Sequence, residues 1–308
     1  MYRASIDIGS NSILLLIAEV KGKSCHPILE KSYVTSLGKG IDQTNKFSEE
    51  SMGESYIALK EYASDIESHQ VPLNEVVVTA TEASRVSTNA PSFYKKIFDE
   101  LGLHVKIISG EEEAFYSAKG VLLNSEEPNE EDQFLMDIGG ASTEFIRCEK
   151  DPFSLKESIS LPIGVVRLTE KLGKYYDYAI QDLKNESADI IKKSIRGFSL
   201  QHFVAPKIIG IAGTMTSLAM MKLELDEFSE EKINSFELSS EILQELLLKV
   251  HTLNPEEIKK KYPILGKRSS TIVAGILISL FFSNELNCDT YVVSTRGLRY
   301  GTILGLRA

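Results

Sequence analysis

Residues 136–145 read MDIGGASTEF and nearly repeat residues 5–15, which read SIDIGSNSILL. When the two copies are aligned at their aspartates, Asp7 corresponds to Asp137. Each copy reads as a strand, a tight glycine turn and a second strand. One copy alone would be a common turn, but two copies this far apart predict two related halves of the chain that face each other.

The composition is that of a globular protein with hydrophobic cores, since 43% of the 308 residues are hydrophobic and 25% are charged. A formal net charge of −10 disfavours nucleic-acid binding, which needs a basic footprint. The three widely spaced cysteines fit neither a disulfide framework nor a zinc pattern, which predicts reduced thiols in the cytoplasm. No signal-peptide pattern is present, and the apolar stretch 271–282 is too short to span a bilayer and predicts a buried helix.

Strand-like and helix-like segments alternate along the chain, which favours an α/β fold. Three consecutive strands at the start predict an antiparallel part of a mixed sheet, and residues 48–67 predict a helix capped by Ser48. The second half repeats this order and adds a long polar helical stretch at about 224–262. The polar, acidic segment 124–133 predicts a boundary between domains 1–125 and 126–308.

Three glycine turns have the composition of phosphate-binding loops: DIGSNS at 7–12, DIGGAST at 137–143 and GIAGTMT at 210–216. Backbone N–H groups of such turns bind anions without positive side chains, and glycine lets the backbone approach closely. Asp7 and Asp137 would repel phosphate unless a divalent cation intervened, and Mg²⁺ is the natural choice. For one copy alone, the alternative is an ordinary turn in which the aspartate accepts local hydrogen bonds.

The Asp-Ile-Gly pair and IAGT together resemble the actin, sugar-kinase and heat-shock-chaperone ATPase superfamily. Six motifs, in order, resemble the exopolyphosphatase / guanosine pentaphosphate phosphohydrolase family: IDIGSNS, ISGEEEA, DIGGASTE, SLPIGVVRLTE, GIAGTMTSLA and STRGLRYGTIL. The resemblance implies two ribonuclease-H-like (actin-like ATPase) domains with mixed sheets flanked by helices and an interdomain cleft. It also implies Mg²⁺-dependent hydrolysis of a terminal phosphoanhydride in a short form of the family, without the C-terminal helical domains of longer relatives.

The resemblance also implies the residues of the site. Glu113 matches the family's catalytic glutamate, and Asp7, Asp137 and Glu144 are the candidate metal ligands, with the choice among them left open. The candidate phosphate-binding residues, with Arg268 included as a basic candidate, are Ser10, Asn11, Ser12, Arg85, Gly139, Gly140, Ala141, Ser142, Thr143, Gly213, Thr214 and Arg268.

Hydrolysis of a phosphoanhydride needs a positioned water and neutralised phosphate charge. Glu113 would accept the proton of that water, and Arg85 would contact phosphate as a planar fork. Each has a plainer alternative, because acidic residues often begin helices and Arg85 could be an ordinary surface residue. The chain departs from the family pattern at Phe115, at Ala141 and at 269–271, which puts substrate preference and rate in question.

Four functions remain open from the sequence. The first is release of phosphate from inorganic polyphosphate, and the second is hydrolysis of guanosine pentaphosphate, for which no guanine pocket is recognisable. The third is a non-catalytic nucleotide or alarmone sensor, and the fourth, weaker, is an ATP-dependent sugar kinase. A homodimer is a candidate assembly, with the helix at 236–250 as a candidate contact.

Overall fold

A computed structural model describes residues 1–22, 24–122 and 132–305. The chain divides into a first unit of residues 1–130, 150–155 and 296–308, and a second unit of residues 131–149 and 156–295. The first unit thus includes the C-terminal tail, which the sequence had assigned to the second domain. Most of the predicted boundary at 124–133 lies outside the described residues.

The first unit contains a mixed sheet with the strand order β3-β2-β1-β4-β5. β1, β2 and β3 pair antiparallel, whereas β4 lies parallel to β1 and β5 lies parallel to β4. The predicted antiparallel start of a mixed sheet is therefore confirmed. The strands are β1 Tyr2–Ile8, β2 Ser12–Lys21, β3 Ser24–Val34, β4 Val76–Ala80 and β5 Val105–Ile107.

Five helices described in residues 1–122 accompany this sheet. The predicted cap of α2 is confirmed, because the Ser48 side chain accepts a hydrogen bond from the backbone N–H of Ser51. The helices are α1 Ile41–Thr44, α2 Glu49–Ser68, α3 Glu82–Val86, α4 Ala90–Leu101 and α5 Gly110–Leu122.

The second sheet has the order β10-β11-β9-β6-β7-β8, again with antiparallel and parallel pairs. β6 and β7 form the hairpin that corresponds to β1 and β2, and β9 lies parallel to β6 as β4 lies parallel to β1. The internal repeat in the sequence is therefore a repeat of structure. The strands are β6 Gln133–Ile138, β7 Thr143–Lys150, β8 Phe153–Leu161, β9 Lys207–Ile211, β10 Glu237–Ser239 and β11 Thr290–Val293.

The predicted long helix over residues 224–262 is wrong, because short helices and the strand β10 occupy this stretch. Two polar caps divide it: the side chains of Ser239 and Asn254 accept backbone N–H groups at the starts of two separate helices. The helices that accompany the second sheet are α6 Val165–Leu172, α7 Ile180–Ser194, α8 Ala212–Lys222, α9 Glu230–Ile233, α10 Ser240–Val250, α11 Pro255–Lys261 and α12 Ile272–Glu285.

The helix α12 is the centre of the second unit's core, since its residues from Ile272 to Ser283 are all buried. This confirms the buried helix predicted at 271–282. Within the described parts of the chain, no single helix is long and apolar enough to cross a membrane. Residues 263–270 and 272–285 reach the length and apolar composition of a membrane span only when they are taken together, and the two segments are bent by 76° relative to each other.

The C-terminal helix α13, Leu298–Gly305, belongs to the first unit and packs on β1 and α5. The hydroxyl groups of Ser5 and Thr302 lie 2.8 Å apart, and both side chains are buried. A Cβ atom added at Gly301 would lie 1.7 Å from the carbonyl oxygen of Tyr116 on α5. The absence of a side chain at Gly301 therefore sets how closely α13 approaches α5.

We predict that Gly301→Ala lowers the free energy of unfolding by about 1–3 kcal/mol, because α5 and α13 must separate to admit the methyl group. Gly53→Ala in α2 is the matched control, since a Cβ there meets no atom within 4 Å. That variant should be about 0.5–1 kcal/mol more stable than the wild type. Chemical denaturation measures both changes, and equal stability of the two variants would contradict this account of α13.

Candidate functional site

The turn between β1 and β2 has its carbonyl oxygens held from one side. The N–H of Gly9 donates to the oxygen of Ser12 over 3.0 Å and closes the hairpin. The oxygen of Ser10 accepts the N–H of Gly38 over 2.7 Å, and the oxygen of Asn11 accepts two further backbone N–H groups. In a trans peptide the N–H points opposite to the C=O, so the N–H groups of Asn11 and Ser12 face away from these partners.

The turn between β6 and β7 repeats this arrangement in the second unit. The N–H of Gly139 donates to the oxygen of Ser142 over 3.0 Å, as in the first hairpin. The first turn of α6 supplies the outer partners, because the N–H of Val165 donates to the oxygen of Gly139 and that of Val166 donates to the oxygen of Gly140. Planarity of the peptides then turns the N–H groups of Gly140 and Ala141 away from α6.

Close packing of backbone on backbone maintains this second turn. A Cβ atom at Gly164 would lie 2.5 Å from the oxygen of Gly140 and 2.6 Å from that of Gly139. The buried guanidinium of Arg167 donates to the oxygen of Ala141 over 2.7 Å. Arg167 therefore holds a carbonyl of the loop, which is a structural contact.

The third turn lies at the start of α8. The hydroxyl of Thr214 donates to the oxygen of Ile138 over 2.8 Å and fixes this turn beside the end of β6. Ala212 adopts a φ of 65°, a left-handed conformation that costs energy in a residue with a side chain and is common at functional sites. A Cβ at Gly213 would lie 3.1 Å from Nη2 of Arg268, so the structure brings these two predicted phosphate-binding residues together.

One predicted phosphate contact does not fit its surroundings. Thr143 is fully buried, and its hydroxyl donates to the oxygen of Ile163 over 2.6 Å. Because that proton is already used, the hydroxyl of Thr143 does not serve as a donor to phosphate. The side chains of Ser10 and Ser142 are also buried, whereas Asn11 and Ser12 are half-buried.

Asp7 stands at the end of β1 with one carboxylate oxygen unsatisfied. Its Oδ1 is buried and has no hydrogen-bond partner among the described residues. Burial raises the pKa of this carboxyl from 3.8 to about 6, and the nearby Arg299 only partly opposes the rise. Arg299 donates to the oxygen of Leu15 over 2.7 Å and lies 3.5 Å from Glu30, which makes it a structural residue.

Asp137 and Glu144 are direct partners across the β6–β7 pair. Directly opposed residues of antiparallel strands project to the same face of the sheet, so the two carboxylates lie on one face. Glu144 is buried and accepts a hydrogen bond from Ser160 over 2.7 Å. This confined pair has the ligand chemistry of a divalent cation site.

Neither Asp7 in the first unit nor the Asp137–Glu144 pair in the second forms a cage of protein ligands, which is compatible with the Mg²⁺ that the sequence predicts. Among the described residues, no group of three or more His, Cys, Asp or Glu side chains could hold a metal ion. Mg²⁺ commonly takes one or two carboxylates and completes its shell with water and phosphate oxygens. The unsatisfied, buried Oδ1 of Asp7 is an oxygen that such an ion would satisfy.

Glu113 and Arg85 meet in the first unit. The helices α3 and α5 that carry them follow the carboxyl ends of the adjacent parallel strands β4 and β5. Nη1 of Arg85 donates to Oε2 of Glu113 over 2.9 Å, and the two side chains are only 21% and 13% exposed. The sequence therefore identified two residues that the fold brings together, although 28 positions separate them.

The three consecutive glutamates of α5 have different environments. Glu111 is exposed, and Glu112 exchanges hydrogen bonds with Ser109 in the capping-box pattern that begins the helix. The next residue, Glu113, contacts Arg85 instead. The plainer alternative, a helix start, thus describes Glu112, whereas Glu113 pairs with Arg85.

Sequence reasoning missed Glu82. Its Oε2 accepts hydrogen bonds from Nη2 and Nε of Arg85 over 2.9 and 3.3 Å. Burial acts to lower the pKa of Arg85, but the carboxylates of Glu113 and Glu82 outweigh it and raise that pKa above its ordinary value. The available signal was the spacing, because acidic and basic residues three positions apart in a helix are neighbours.

We predict that Asp7→Asn stabilises the metal-free protein at high pH. The buried carboxyl favours its protonated form, so its contribution to stability is complete below about pH 4 and is lost as the pH rises through about 6. At pH 8 the variant should gain about 1–3 kcal/mol of unfolding free energy, since one pKa unit corresponds to about 1.4 kcal/mol.

The gain from Asp7→Asn should shrink towards zero near pH 4 in urea denaturation without Mg²⁺. Asp189→Asn in α7 is the control for the change of an aspartate to asparagine, because Asp189 is exposed. A difference between Asp7→Asn and wild type that is the same at pH 4 and pH 8 would contradict the assignment.

We also predict that Gly164→Ala weakens phosphate binding by at least about tenfold, because the added methyl group must displace the carbonyls of Gly139 and Gly140. Calorimetric titration with tripolyphosphate measures the affinity, and circular dichroism checks the fold. Gly53→Ala is again the control variant. Unchanged affinity in Gly164→Ala would show that this loop does not bind the anion.

The chain is similar to known proteins over almost its whole length. It is 32% identical to a bifunctional 3-dehydroquinate synthase/phosphatase of Fusobacterium nucleatum over 98% of the chain, but it spans only 46% of that protein. It is 27% identical to exopolyphosphatase 2 of Mycobacterium tuberculosis, with 98% of both proteins covered.

A solved structure of the Aquifex aeolicus PPX-GPPA enzyme superimposes with a TM-score of 0.78 at 31% identity and covers 99% of each chain. The predicted fold class, with two mixed-sheet α/β units of the actin-like ATPase type, is confirmed by this likeness and by the two sheets. The model of the Ppx/GppA phosphatase family matches residues 16–307. The chain therefore belongs to the Ppx/GppA phosphatase family.

Proposed function

We propose that the protein is an exopolyphosphatase that releases the terminal phosphate of inorganic polyphosphate, with Glu113 as the general base. The observation that carries this proposal is the partly buried contact between Glu113 and Arg85, because it places a proton acceptor beside a guanidinium that can bind phosphate. Membership in a phosphatase family supports the reaction class. The choice of polyphosphate is supported by the exopolyphosphatase relative, which matches this chain over 98% of both lengths.

The backbone turns would hold the phosphate oxygens. The N–H groups of Asn11, Gly140 and Ala141 face away from the elements that fix their loops, and backbone N–H groups arranged in this way bind anions. This mode of binding suits a chain with a net charge of −10, because it needs few basic side chains. Arg85 adds the charge-assisted contacts that a bidentate guanidinium makes with phosphate.

Hydrolysis requires that Glu113 exchange one partner for another. When the substrate takes over Nη1 of Arg85, the carboxylate of Glu113 can accept a proton from a water molecule. The oxygen of that water forms a bond to the terminal phosphorus, the bridging P–O bond breaks, and the shortened chain leaves with the bridging oxygen. Orthophosphate and a protonated Glu113 result, and the proton then passes to solvent.

The carboxylates that would hold Mg²⁺ are Asp137 and Glu144 in the second unit, or Asp7 in the first. When bound, the ion would neutralise phosphate charge and stabilise charge on the leaving oxygen. The carboxylates themselves carry negative charge, so they favour a substrate that arrives with its cation over free polyphosphate. Guanosine pentaphosphate contains the same type of bond and is the comparison substrate. A homodimer is a further expectation from the sequence.

We predict that Glu113→Gln lowers kcat for polyphosphate by about 10²–10⁴-fold, the usual contribution of a general base. Glu111→Gln, a neighbouring exposed glutamate, should retain wild-type activity. The measurement is phosphate release from polyphosphate, guanosine pentaphosphate and ATP, with and without Mg²⁺. Wild-type turnover of polyphosphate only with Mg²⁺ is expected.

Two outcomes would overturn parts of the proposed function. Full activity in Glu113→Gln would remove that residue as the base. Faster hydrolysis of guanosine pentaphosphate than of polyphosphate would transfer the proposal to the nucleotide substrate.

A further inference from the structure

The guanidinium of Arg85 donates hydrogen bonds to three acceptors. Nε and Nη2 both donate to Oε2 of Glu82, over 3.3 and 2.9 Å. Nη1 donates to the backbone oxygen of Ile108 over 2.8 Å and to Oε2 of Glu113 over 2.9 Å. An arginine has five N–H groups, and these contacts use four of them.

The acceptors differ in how far they can move. The oxygen of Ile108 belongs to the backbone, and the N–H of Ile108 donates to Ala80 at the end of β4. Glu82 lies three residues before Arg85 on the same helix, so the two side chains are neighbours without any long-range contact. Glu113, in contrast, comes from the separate helix α5. Glu82 and Ile108 are therefore the fixed partners, and Glu113 is the exchangeable one.

We propose that Glu82 is a positioning residue, which holds Arg85 so that its Nη1 and Nη2 end is presented to the substrate. This inference rests on the proposed function and extends it to a residue with no assigned role. With Glu82 and Ile108 in place, the Nη1 hydrogen now on Glu113 and the remaining Nη2 hydrogen can bind two oxygens of one phosphate group. That exchange separates Arg85 from Glu113, and the side chain of Arg85 does not have to change its rotamer.

The electrostatics give Glu82 a second effect. Two carboxylates share one guanidinium in a region where the exposed fractions of Arg85, Glu82 and Glu113 are 21%, 21% and 13%. Charge interactions are stronger where water is partly excluded. Glu82 repels Glu113 across the shared guanidinium, so without the charge of Glu82 the carboxylate of Glu113 would be held on Nη1 more firmly.

The test compares Glu82→Gln, Arg85→Lys and the double variant in polyphosphate hydrolysis. We expect Glu82→Gln to raise KM about tenfold while kcat changes less than threefold. In the Arg85→Lys background, where the planar fork is absent, the same change should alter KM less than twofold. Glu111→Gln is the control for loss of a carboxylate near the site, and it should leave KM unchanged in both backgrounds.

A second measurement does not depend on turnover. The Nε–H signal of Arg85 in ¹⁵N NMR should be protected from solvent exchange in the wild type and should lose that protection in Glu82→Gln. Tripolyphosphate, used as the probe, should shift this signal while Nε stays protected. These results would stand even if the wild type hydrolysed no polyphosphate, so failure of the proposed function and failure of this inference can be told apart.

Two results would overturn the inference. One is an equal rise of KM on Glu82→Gln in the wild-type and Arg85→Lys backgrounds, because Glu82 would then act on the substrate or the fold without Arg85. The other is an unprotected Nε–H signal in the wild type. Thermal unfolding of Glu82→Gln checks that the variant is folded.

Discussion

Both glycine turns depend on one constraint, which is the planarity of the trans peptide. In each unit, neighbouring backbone N–H groups bind the carbonyl oxygens of the glycine turn from one side, and the N–H groups of the same peptides must then point to the other side. In the first unit the partners come from residues 35–38, and in the second they come from the start of α6. The repeated Asp-Ile-Gly motif therefore encodes the same turn in both units, although different neighbouring segments bind its carbonyl oxygens.

The sequence predicted those parts of the fold that local chemistry determines. The two hairpins, the cap at Ser48 and the buried helix α12 follow from glycine turns, a serine acceptor and a continuous apolar run. The prediction of one long helix over residues 224–262 failed because the polar composition of this stretch resembles a single helix. Caps at Ser239 and Asn254 divide it. The position of α13 in the first unit could not be predicted, because it depends on contacts across almost 300 residues, such as that between Ser5 and Thr302.

The candidate site, like the fold, could be predicted from the sequence only in part. Resemblance to a family identified Glu113 and Arg85 separately, but only the parallel pairing of β4 and β5 explains why they touch. The structural role of Thr143 could not be predicted, because nothing in the sequence indicates that its hydroxyl donates a hydrogen bond to the backbone oxygen of Ile163. The carboxyl of Asp7 has an energetic cost, because burying an unsatisfied carboxylate oxygen such as its Oδ1 destabilises a protein unless a ligand compensates.

In the proposed function, backbone N–H groups of the glycine turns hold the phosphates. Amide NMR of the ¹⁵N-labelled protein during titration with tripolyphosphate and Mg²⁺ tests it most directly. We expect large, saturable shifts for the amides of Asn11, Gly140 and Ala141. The amides of Val165 and Val166 should change little, because their carbonyl partners stay in place. Binding that leaves the turn amides unshifted and perturbs only basic side chains would contradict it.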